Sequence, residues 1–243
     1  MVNDGIFDSS IAPSYDAHHR AMFEPGVIDP TVALLTELAA GGRVLEFASG
    51  TGRLTLPLRR AGIDVHGIEL SQAMVAEMRA KPDGDEVPVT IGDMATTRVP
   101  GTFSLVYLVF NTVANLLTQD EQVACFVNAA AHLAPGGRFV IELYVPQLRW
   151  LAPGDQALAN DVGPVHAGID EYDVVEQGLV SHHFWTDDAG TTVVRTPQRY
   201  IWPSELDLMA RLAGMAREHR WAGWDRSPFT ADSTSHVSVF VKP

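Results

Sequence analysis

Cysteine and basic residues are both scarce in this chain of 243 residues. The single cysteine, Cys125, excludes an internal disulfide, and its helical neighbours Val123 and Val127 indicate a position in the core. The 17 Lys and Arg residues are outnumbered by 30 Asp and Glu, which gives a net charge of −13. Such a surface repels phosphate backbones, so we expect no nucleic acid partner.

Long apolar runs and an N-terminal targeting segment are also missing from the sequence. The longest apolar run, 105–110, is far too short to cross a bilayer. The first residues carry no basic stretch followed by an apolar segment, the pattern of a secretory signal. We therefore expect a soluble cytoplasmic protein with no membrane partner. Apolar residues make up 46% of the chain, enough for a sizeable core.

Strand and helix patterns alternate through the first 145 residues. Five apolar runs at 43–47, 64–70, 87–94, 103–110 and 138–145 read as buried strands. Helices between them start at caps, with Asp29–Pro30, Ser71 and a Thr118/Glu121 capping box, and Gly41–Gly42 ends the first. Unbroken apolar strands joined by helices predict an α/β fold with a mostly parallel sheet covered on both faces.

The pattern changes after Val145. A stretch rich in Gly, Pro and Asp reads as loop up to Gly168, and three strand-like segments follow at 170–177, 178–186 and 191–202. A helix at 203–214 and two closing strands complete the chain. We predict a lid and core over 1–145, an antiparallel β insert over 146–202, and the closing helix and strands of the core over 203–243.

A glycine loop follows the first strand, in the stretch VLEFASGTGRLTLPL. Gly50 and Gly52 give G-x-G, but Thr55 stands where a dinucleotide-binding loop needs its third glycine. Glu46 lies upstream of the glycines, where that fingerprint asks for no acid. A P-loop is excluded because no Gly-Lys-Ser or Gly-Lys-Thr occurs. A second acid, Glu69, ends the next strand.

These motifs resemble, in order, those of class I S-adenosylmethionine-dependent methyltransferases. The first motif runs from Glu46 to Gly52, with Ala48 in place of the first glycine. Glu69 is in the position of the acid after the second strand, and Gly92–Met94 is the third motif. The segment LAPGGRFVIELY matches the motif that leads into the fifth strand. The resemblance implies a Rossmann-like sheet that closes with an antiparallel strand.

The resemblance also implies the residues that would bind S-adenosylmethionine and its product S-adenosylhomocysteine. Glu46 would organise the ammonium of the amino-acid end, and small residues at 48–52 would let that end approach the backbone. Glu69 would bind the ribose hydroxyls. The remaining expected cofactor contacts are Tyr15, Ala48, Ser49, Gly50, Gly52, Leu70, Asp93, Met94, Phe110 and Asn111.

Candidate catalytic residues lie in the N-terminal segment SYDAHHRAMFEP and after the fourth strand. Tyr15–Asp16 resembles a pair that folds over the cofactor in related small-molecule methyltransferases, so this segment is a candidate lid. We expect Tyr15, His19 and Asn111 to act near the transferred methyl group, with His19 a candidate base. His182 and His183 alternate in a strand, so one of them faces inward. No two histidines are spaced with a carboxylate as in H-x-x-x-H, so we predict no metal.

The acceptor is less well defined by the sequence. The insert resembles that of amino-sugar N,N-dimethyltransferases and related natural-product N-methyltransferases, which implies a small amine acceptor and a homodimer. Trp150, Trp185, Tyr200 and Trp202 could line an acceptor wall or form the core of the insert. Methylation of a peptide or protein amine, and a non-catalytic module that only binds the cofactor, remain as alternatives.

Overall fold

The structure is a computed structural model that describes residues 7–188 and 190–243. Its strands are β1 Val44–Phe47, β2 Val65–Glu69, β3 Val89–Ile91, β4 Phe103–Leu108, β5 Leu133–Tyr144, β6 Ala157–Val162, β7 His166–Asp173, β8 Gly178–Asp187, β9 Gly190–Arg199, β10 Ala216–Trp221 and β11 Ser235–Val241. They form a seven-stranded sheet in the order β10-β11-β5-β4-β1-β2-β3 and a four-stranded sheet in the order β6-β7-β8-β9.

Six α-helices pack around the sheets. They are α1 Ala12–His18, α2 Pro25–Ala39, α3 Thr55–Arg60, α4 Gln72–Arg79, α5 Gln119–His132 and α6 Pro203–Leu212. No helix within the two described ranges is both long and apolar enough to cross a bilayer.

The larger sheet confirms the predicted fold class. Strands β5, β4, β1, β2 and β3 pair in parallel, and β11 and β10 add two antiparallel strands at one edge. One apolar cluster on the sheet includes Phe126 of α5 and Met209 of α6. A second cluster includes Leu35 of α2 and Leu58 of α3. Helices therefore cover both faces, and the carboxyl ends of the parallel strands form the edge where α/β folds bind ligands.

Two predicted helix starts are confirmed and one is wrong. Ser71 accepts a hydrogen bond from the Met74 N–H at the start of α4, and Thr118 forms the capping box of α5. Helix α2, however, begins at Pro25 with Glu24 at its N-cap, not at Asp29. Proline fits the first helical position because its missing N–H would have no intrahelical partner there. Pro30 lies inside the helix, which the surrounding packing tolerates.

The second sheet contains one strand that the sequence did not predict. Strand β6 lies in the stretch that we read as loop, and β7 begins four residues earlier than predicted. All of β6 except Leu158 is exposed, so no alternation of apolar residues marks it. Its backbone is paired with β7, and a register shift between Ala159 and Asp161 interrupts the ladder. Pairing with a neighbour, and not a hydrophobic pattern, defines this strand.

At Gly52, in the glycine loop after β1, the neighbouring side chains leave no room for a Cβ atom. Gly52 has φ +84°, and a Cβ built on it would lie 2.8 Å from Met78 Cγ and 3.0 Å from Leu56 Cγ. Gly62 has the same φ of +84° but has no atom within 4 Å of such a Cβ. The two glycines therefore share a backbone conformation and differ in their surroundings.

We predict that Gly52→Ala costs more folding stability than Gly62→Ala. Both variants force an L-residue into the left-handed region, at about 1 kcal/mol. Only Gly52→Ala adds a clash in a packed core, worth about 1–3 kcal/mol more. Urea unfolding of the two variants measures the difference, and equal losses of stability would contradict the packing role of Gly52.

Candidate functional site

A small cavity of about 120 Å³ opens at the carboxyl ends of β1 and β2. Its walls combine backbone from the glycine loop, the Glu69 carboxylate and apolar side chains. The residues around it are Phe7, Tyr15, Ala48, Gly50, Ile68, Glu69, Leu70, Met74, Gly92, Asp93, Met94, Thr112, Asn115 and Leu116. Seven of the cofactor contacts expected from the sequence are in this set: Tyr15, Ala48, Gly50, Glu69, Leu70, Asp93 and Met94.

Glu69 connects the second strand to the glycine loop. Its Oε2 accepts a hydrogen bond of 2.8 Å from the Gly50 N–H, and its Oε1 accepts one of 2.8 Å from the Ser71 N–H. Burial raises the pKa of this carboxyl group, and the two backbone hydrogen bonds act in the opposite direction. The carboxylate therefore fixes the loop conformation, in which Ala48 and Gly50 both have φ +54°.

The structure does not bring Glu46, Ser49 or Gly52 into this cavity. The Glu46 carboxylate accepts a hydrogen bond from the Thr55 hydroxyl beneath the loop, and burial raises its pKa to about 7. Ser49 packs against Gly67, where a Cβ would lie 2.6 Å from its Oγ. These three residues lie on the side of the loop that faces away from the cavity. Their direct contact with a bound cofactor stays a prediction.

A larger cavity of about 510 Å³ adjoins the smaller one and shares Phe7, Tyr15, Thr112 and Asn115 with it. The lid, the ends of β4 and β5, and the second sheet each contribute one wall. The second-sheet residues on this wall are Leu158, Ala159, Asn160, Asp170, Tyr172, Leu179, Ser181, His183, Trp185, Val194, Thr196 and Gln198. On β8 these are every second residue, as expected for one face of a strand.

Tyr15 of the lid lines both cavities, and His19 lines the larger one. Their rings lie 4.5 Å apart, and His19 also meets the edge of the Phe110 ring at 5.4 Å. Burial raises the pKa of Tyr15 to about 12, so its phenol stays protonated at neutral pH. Burial, with neighbouring histidines, lowers the pKa of His19 to about 4, so its imidazole stays neutral.

Phe110 and Asn111 occupy left-handed backbone at the end of β4, with φ of 58° and 62°. Glu142 of β5 holds this turn, since its Oε2 accepts from the Phe110 N–H at 2.9 Å. The Asn111 Oδ1 accepts from the Tyr144 N–H at 2.8 Å. Both residues line the larger cavity. The strain is therefore offset by specific hydrogen bonds at the cavity wall, an arrangement typical of functional sites.

The lid is attached to the glycine loop through contacts that sequence reasoning missed. Asp16 accepts a 2.6 Å hydrogen bond from the Thr51 hydroxyl and forms an ion pair with Lys81. Lys81 Nζ also donates to the Thr51 carbonyl at 2.8 Å. The Tyr15–Asp16 pair signalled the lid, but nothing in the sequence identified Thr51 or Lys81 as its partners. Together they place Tyr15 over the loop.

The remaining aromatic and histidine predictions divide between the cavity and the core. Trp150 and Trp185 line the larger cavity. Tyr200 does not line it and is buried in a cluster with Tyr172 and Leu179, two residues that do. His183 is the inward member of its pair, and His182 lies 3.1 Å from Glu171 on the other face. Within residues 7–188 and 190–243 no group of three His, Cys, Asp or Glu side chains is placed to hold a metal ion.

Comparison with known proteins identifies the family. A family described as "Methyltransferase domain" matches residues 44–137. The solved structure of the CcbJ methyltransferase from Streptomyces caelestis is 33% identical, covers 99% of each chain and superimposes with a TM-score of 0.84. The chain belongs to the class I S-adenosylmethionine-dependent methyltransferases.

Two further proteins are similar to this methyltransferase. A dTDP-4-amino-2,3,4,6-tetradeoxy-D-glucose N,N-dimethyltransferase from Saccharopolyspora spinosa is 34% identical over 143 residues, 56% of this chain and 55% of that protein. The alignment thus spans about half the length of that curated relative. CalS10 from Micromonospora echinaspora, an amino pentose methyltransferase solved with S-adenosylmethionine bound, is 24% identical over 94% of this chain and 96% of its own, with a TM-score of 0.69. At this identity CalS10 supports the fold.

We predict that the small cavity of the methyltransferase binds the adenosine part of S-adenosylmethionine. A Cβ built on Gly50 would meet nothing closer than the Ala48 carbonyl at 4.0 Å, so the loop backbone is open to a ligand. The Glu69 oxygens can accept further hydrogen bonds from a ribose diol, since each carboxylate has about four lone-pair sites. Leu70 and Met94 provide apolar walls for an adenine ring, and Asp93 a polar one.

Replacing Glu69 with Ala should weaken S-adenosylhomocysteine binding by about 1–3 kcal/mol, the scale of lost hydrogen bonds to a charged group. Glu77→Ala, on the neighbouring helix α4, is the control and should leave binding unchanged. Isothermal titration calorimetry of both variants provides the comparison. An unchanged dissociation constant for Glu69→Ala would remove Glu69 from the cofactor site.

His19 should make the protein less stable as the pH falls from 6.5 to about 4. In that range the unfolded chain protonates this imidazole at its ordinary pKa of 6.5, and the folded protein does not. Proton uptake then favours unfolding. His19→Gln should reduce the loss of stability between pH 7 and pH 5 by about 2 kcal/mol. Urea unfolding at the two pH values tests this, and an identical loss in the variant would contradict it.

Proposed function

We propose that this methyltransferase transfers a methyl group from S-adenosylmethionine to the amine nitrogen of a small molecule held in the larger cavity. One observation carries the proposal. The larger cavity joins the cofactor cavity at Tyr15, and Asp170 is the only carboxylate among the described residues that line it. An acid in an otherwise neutral, largely apolar wall favours a cationic or hydrogen-bond-donating amine.

The Asp170 carboxylate is held in place by its neighbours on the second sheet. Its Oδ1 accepts hydrogen bonds of 2.6 Å from both Asn160 Nδ2 and Ser181 Oγ. The same atom takes both bonds, so Oδ2 is the oxygen left for an acceptor. A fixed carboxylate loses little conformational entropy when it binds an amine, which supports its use in orienting one.

The enclosure of the larger cavity and the charges of its lining residues indicate which class of acceptor it can hold. The lid covers one side of the cavity and the second sheet the other, which supports a small acceptor and not a peptide. No lysine or arginine is among the described residues that line it. Phosphate groups are bound in proteins mainly by such cations or by helix N-termini. We therefore infer an amine without a nucleoside diphosphate, in contrast to the dTDP-sugar named for the Saccharopolyspora relative.

S-adenosylmethionine supplies a methyl group that is already activated on a cationic sulfur. The residues of the chain then have to orient the acceptor, exclude water and accept a proton. Tyr15, with its protonated phenol, can donate a hydrogen bond where the two cavities meet. Asn111 and Phe110 line the larger cavity, and His19, neutral at physiological pH, borders the same space.

The three segments of the chain divide these tasks. We propose that residues 1–145, of which 1–6 lie outside the described residues, form the lid and the core that binds the cofactor. Residues 203–243 complete the core with its closing helix and strands, and residues 146–202 provide the acceptor wall. A homodimer formed through the insert stays a prediction.

Mass spectrometry of reactions with S-adenosylmethionine tests this function. The panel contains small aliphatic amines and amino sugars, the same amino sugars as nucleoside diphosphates, short peptides and phenols. We expect methylation of amines that carry no phosphate. Methylation confined to phenols, peptides or nucleotide sugars would refute the acceptor class. Tight S-adenosylhomocysteine binding without methylation of any acceptor would favour a non-catalytic binding module.

Asp170→Asn should raise KM for the amine by about 10- to 100-fold, the scale of a lost charge-assisted hydrogen bond. Glu171→Gln is a matched control, because Glu171 is adjacent in β7 and faces away toward His182. Steady-state kinetics with the amine identified in the panel provide the measurement. Equal KM values for the two variants would show that Asp170 does not bind the acceptor.

Tyr15→Phe should lower kcat by about 10- to 100-fold and leave the dissociation constant of S-adenosylhomocysteine within about twofold. The substitution keeps the ring that packs on Phe7 and His19 and removes only the hydroxyl. Kinetics and calorimetry on the same preparation separate the two effects. A wild-type kcat would show that Tyr15 covers the cofactor and that its hydroxyl takes no part in the reaction.

A further inference from the structure

Three polar side chains connect the larger cavity with the protein surface. His183 lines the cavity, and its Nδ1 lies 3.1 Å from His166 Nε2. His166 Nδ1 lies 2.6 Å from Asp161 Oδ2. The Asp161 side chain is 53% exposed and that of His166 is 15% exposed. The chain of hydrogen bonds thus begins at the acceptor cavity and ends in water.

The second sheet creates this alignment. His166 of β7 stands opposite Trp185 of β8, and Gly168 stands opposite His183. The register shift in β6 places Asp161 opposite Gly168, beside the two histidines. Trp185 contacts the His166 ring at 4.0 Å and stacks on His18 of the lid at 4.3 Å. The lid and the tryptophan cover the row of imidazoles on one side.

The direction of each hydrogen bond can be assigned by starting from Asp161, the exposed end of this chain of hydrogen bonds. The bond from His166 lowers the pKa of Asp161, so this carboxylate is ionised and accepts the His166 Nδ1 proton. His166, with its proton on Nδ1, then accepts at Nε2, and His183 donates from Nδ1. Nε2 is therefore the unprotonated nitrogen of His183, and within residues 7–188 and 190–243 it has no hydrogen-bond partner. A neighbour that fixes the tautomer in this way is the arrangement of a catalytic base.

We propose that Asp161, His166 and His183 form a proton relay that removes a proton from the acceptor amine and delivers it to solvent. The proposal rests on the proposed function, an amine acceptor in the larger cavity. His183 is its catalytic residue, and His166 and Asp161 are positioning residues.

The relay solves a specific chemical problem. An ammonium group has no lone pair and cannot accept a methyl group until it loses a proton. The proton leaves the acceptor nitrogen for His183 Nε2, and the electron pair of the broken N–H bond stays on that nitrogen. The Nδ1 proton of His183 passes to His166 Nε2, and His166 releases its Nδ1 proton to solvent beside Asp161, which stays ionised. Both imidazoles are then neutral with the proton on Nε2. After the product has left, one proton passing back along the same bonds restores the starting tautomers, and His183 Nε2 gives its proton to water in the open cavity.

Charged groups around His183 decide the range of pH in which the relay works. His166 and His182 disfavour a cationic His183, whereas Asp170 favours one. His19 of the lid also interacts electrostatically with His183. Burial and His166 lower the pKa of His183. Its Nε2 is therefore unprotonated and ready to accept a proton at neutral pH.

The pH profile of His183→Gln is the decisive experiment. We expect kcat/KM for the amine to fall by about 10²- to 10⁴-fold at pH 7, the range of a lost general base. The loss should shrink as the pH approaches the pKa of the amine, because solvent then removes the proton. His182→Gln, one residue away on the opposite face, is the matched control and should keep the wild-type profile.

Asp161→Asn tests the far end of the relay and is an exposed change that leaves the sheet intact. We expect a loss of kcat/KM of about tenfold at pH 7, again relieved at high pH, with an unchanged dissociation constant for S-adenosylhomocysteine. A wild-type profile in Asp161→Asn or His183→Gln, or a loss that is equal at every pH, would overturn the relay. Failure of the proposed function gives a different result, since the wild-type protein itself would then methylate no amine.

Discussion

The buried Glu69 carboxylate is the constraint on which the site depends. It ends the second strand and accepts N–H bonds from Gly50 and Ser71, so that one side chain fixes both the glycine loop and the start of α4. The loop fixed in this way presents Thr51 to Asp16 of the lid. Lid position, and with it the position of Tyr15, therefore follows from the geometry of the loop. Burying a carboxylate is costly, and these backbone donors offset the cost.

Tyr15 lies where the small cavity and the larger cavity meet. On one side, the ends of the parallel strands form the small cavity in which we propose that the adenosine of the cofactor binds. On the other, the second sheet forms a larger wall with one carboxylate, Asp170, and one histidine, His183, that is hydrogen-bonded outward through His166. The cofactor side is built by the fold common to the family. Residues 157–199 form one wall of the proposed acceptor cavity. We therefore expect changes in that sheet to alter the acceptor without disturbing the cofactor.

The sequence predicted the sheet and the loop well because their signals are local. Apolar runs mark β1, β2, β4 and β5, and Ser71 and Thr118 mark helix starts through short-range capping bonds. Strand β6 escaped prediction because its side chains are mostly exposed and only pairing with β7 defines it. Lys81, Glu142, Asp161, His166 and Asp170 were missed for a related reason. Their partners are distant in sequence or lie across a strand pairing that the sequence did not show, so no local pattern distinguishes them from surface charges.

A crystal structure of the complex with S-adenosylhomocysteine tests the central claim most directly. We predict that the adenosine lies in the smaller cavity, with its ribose hydroxyls hydrogen-bonded to Glu69 and its adenine between Leu70 and Met94. The sulfur should then lie near Tyr15, facing the larger cavity. A ligand that occupies the larger cavity, or a ribose that makes no contact with Glu69, would contradict the division of the site into a cofactor cavity and an acceptor cavity.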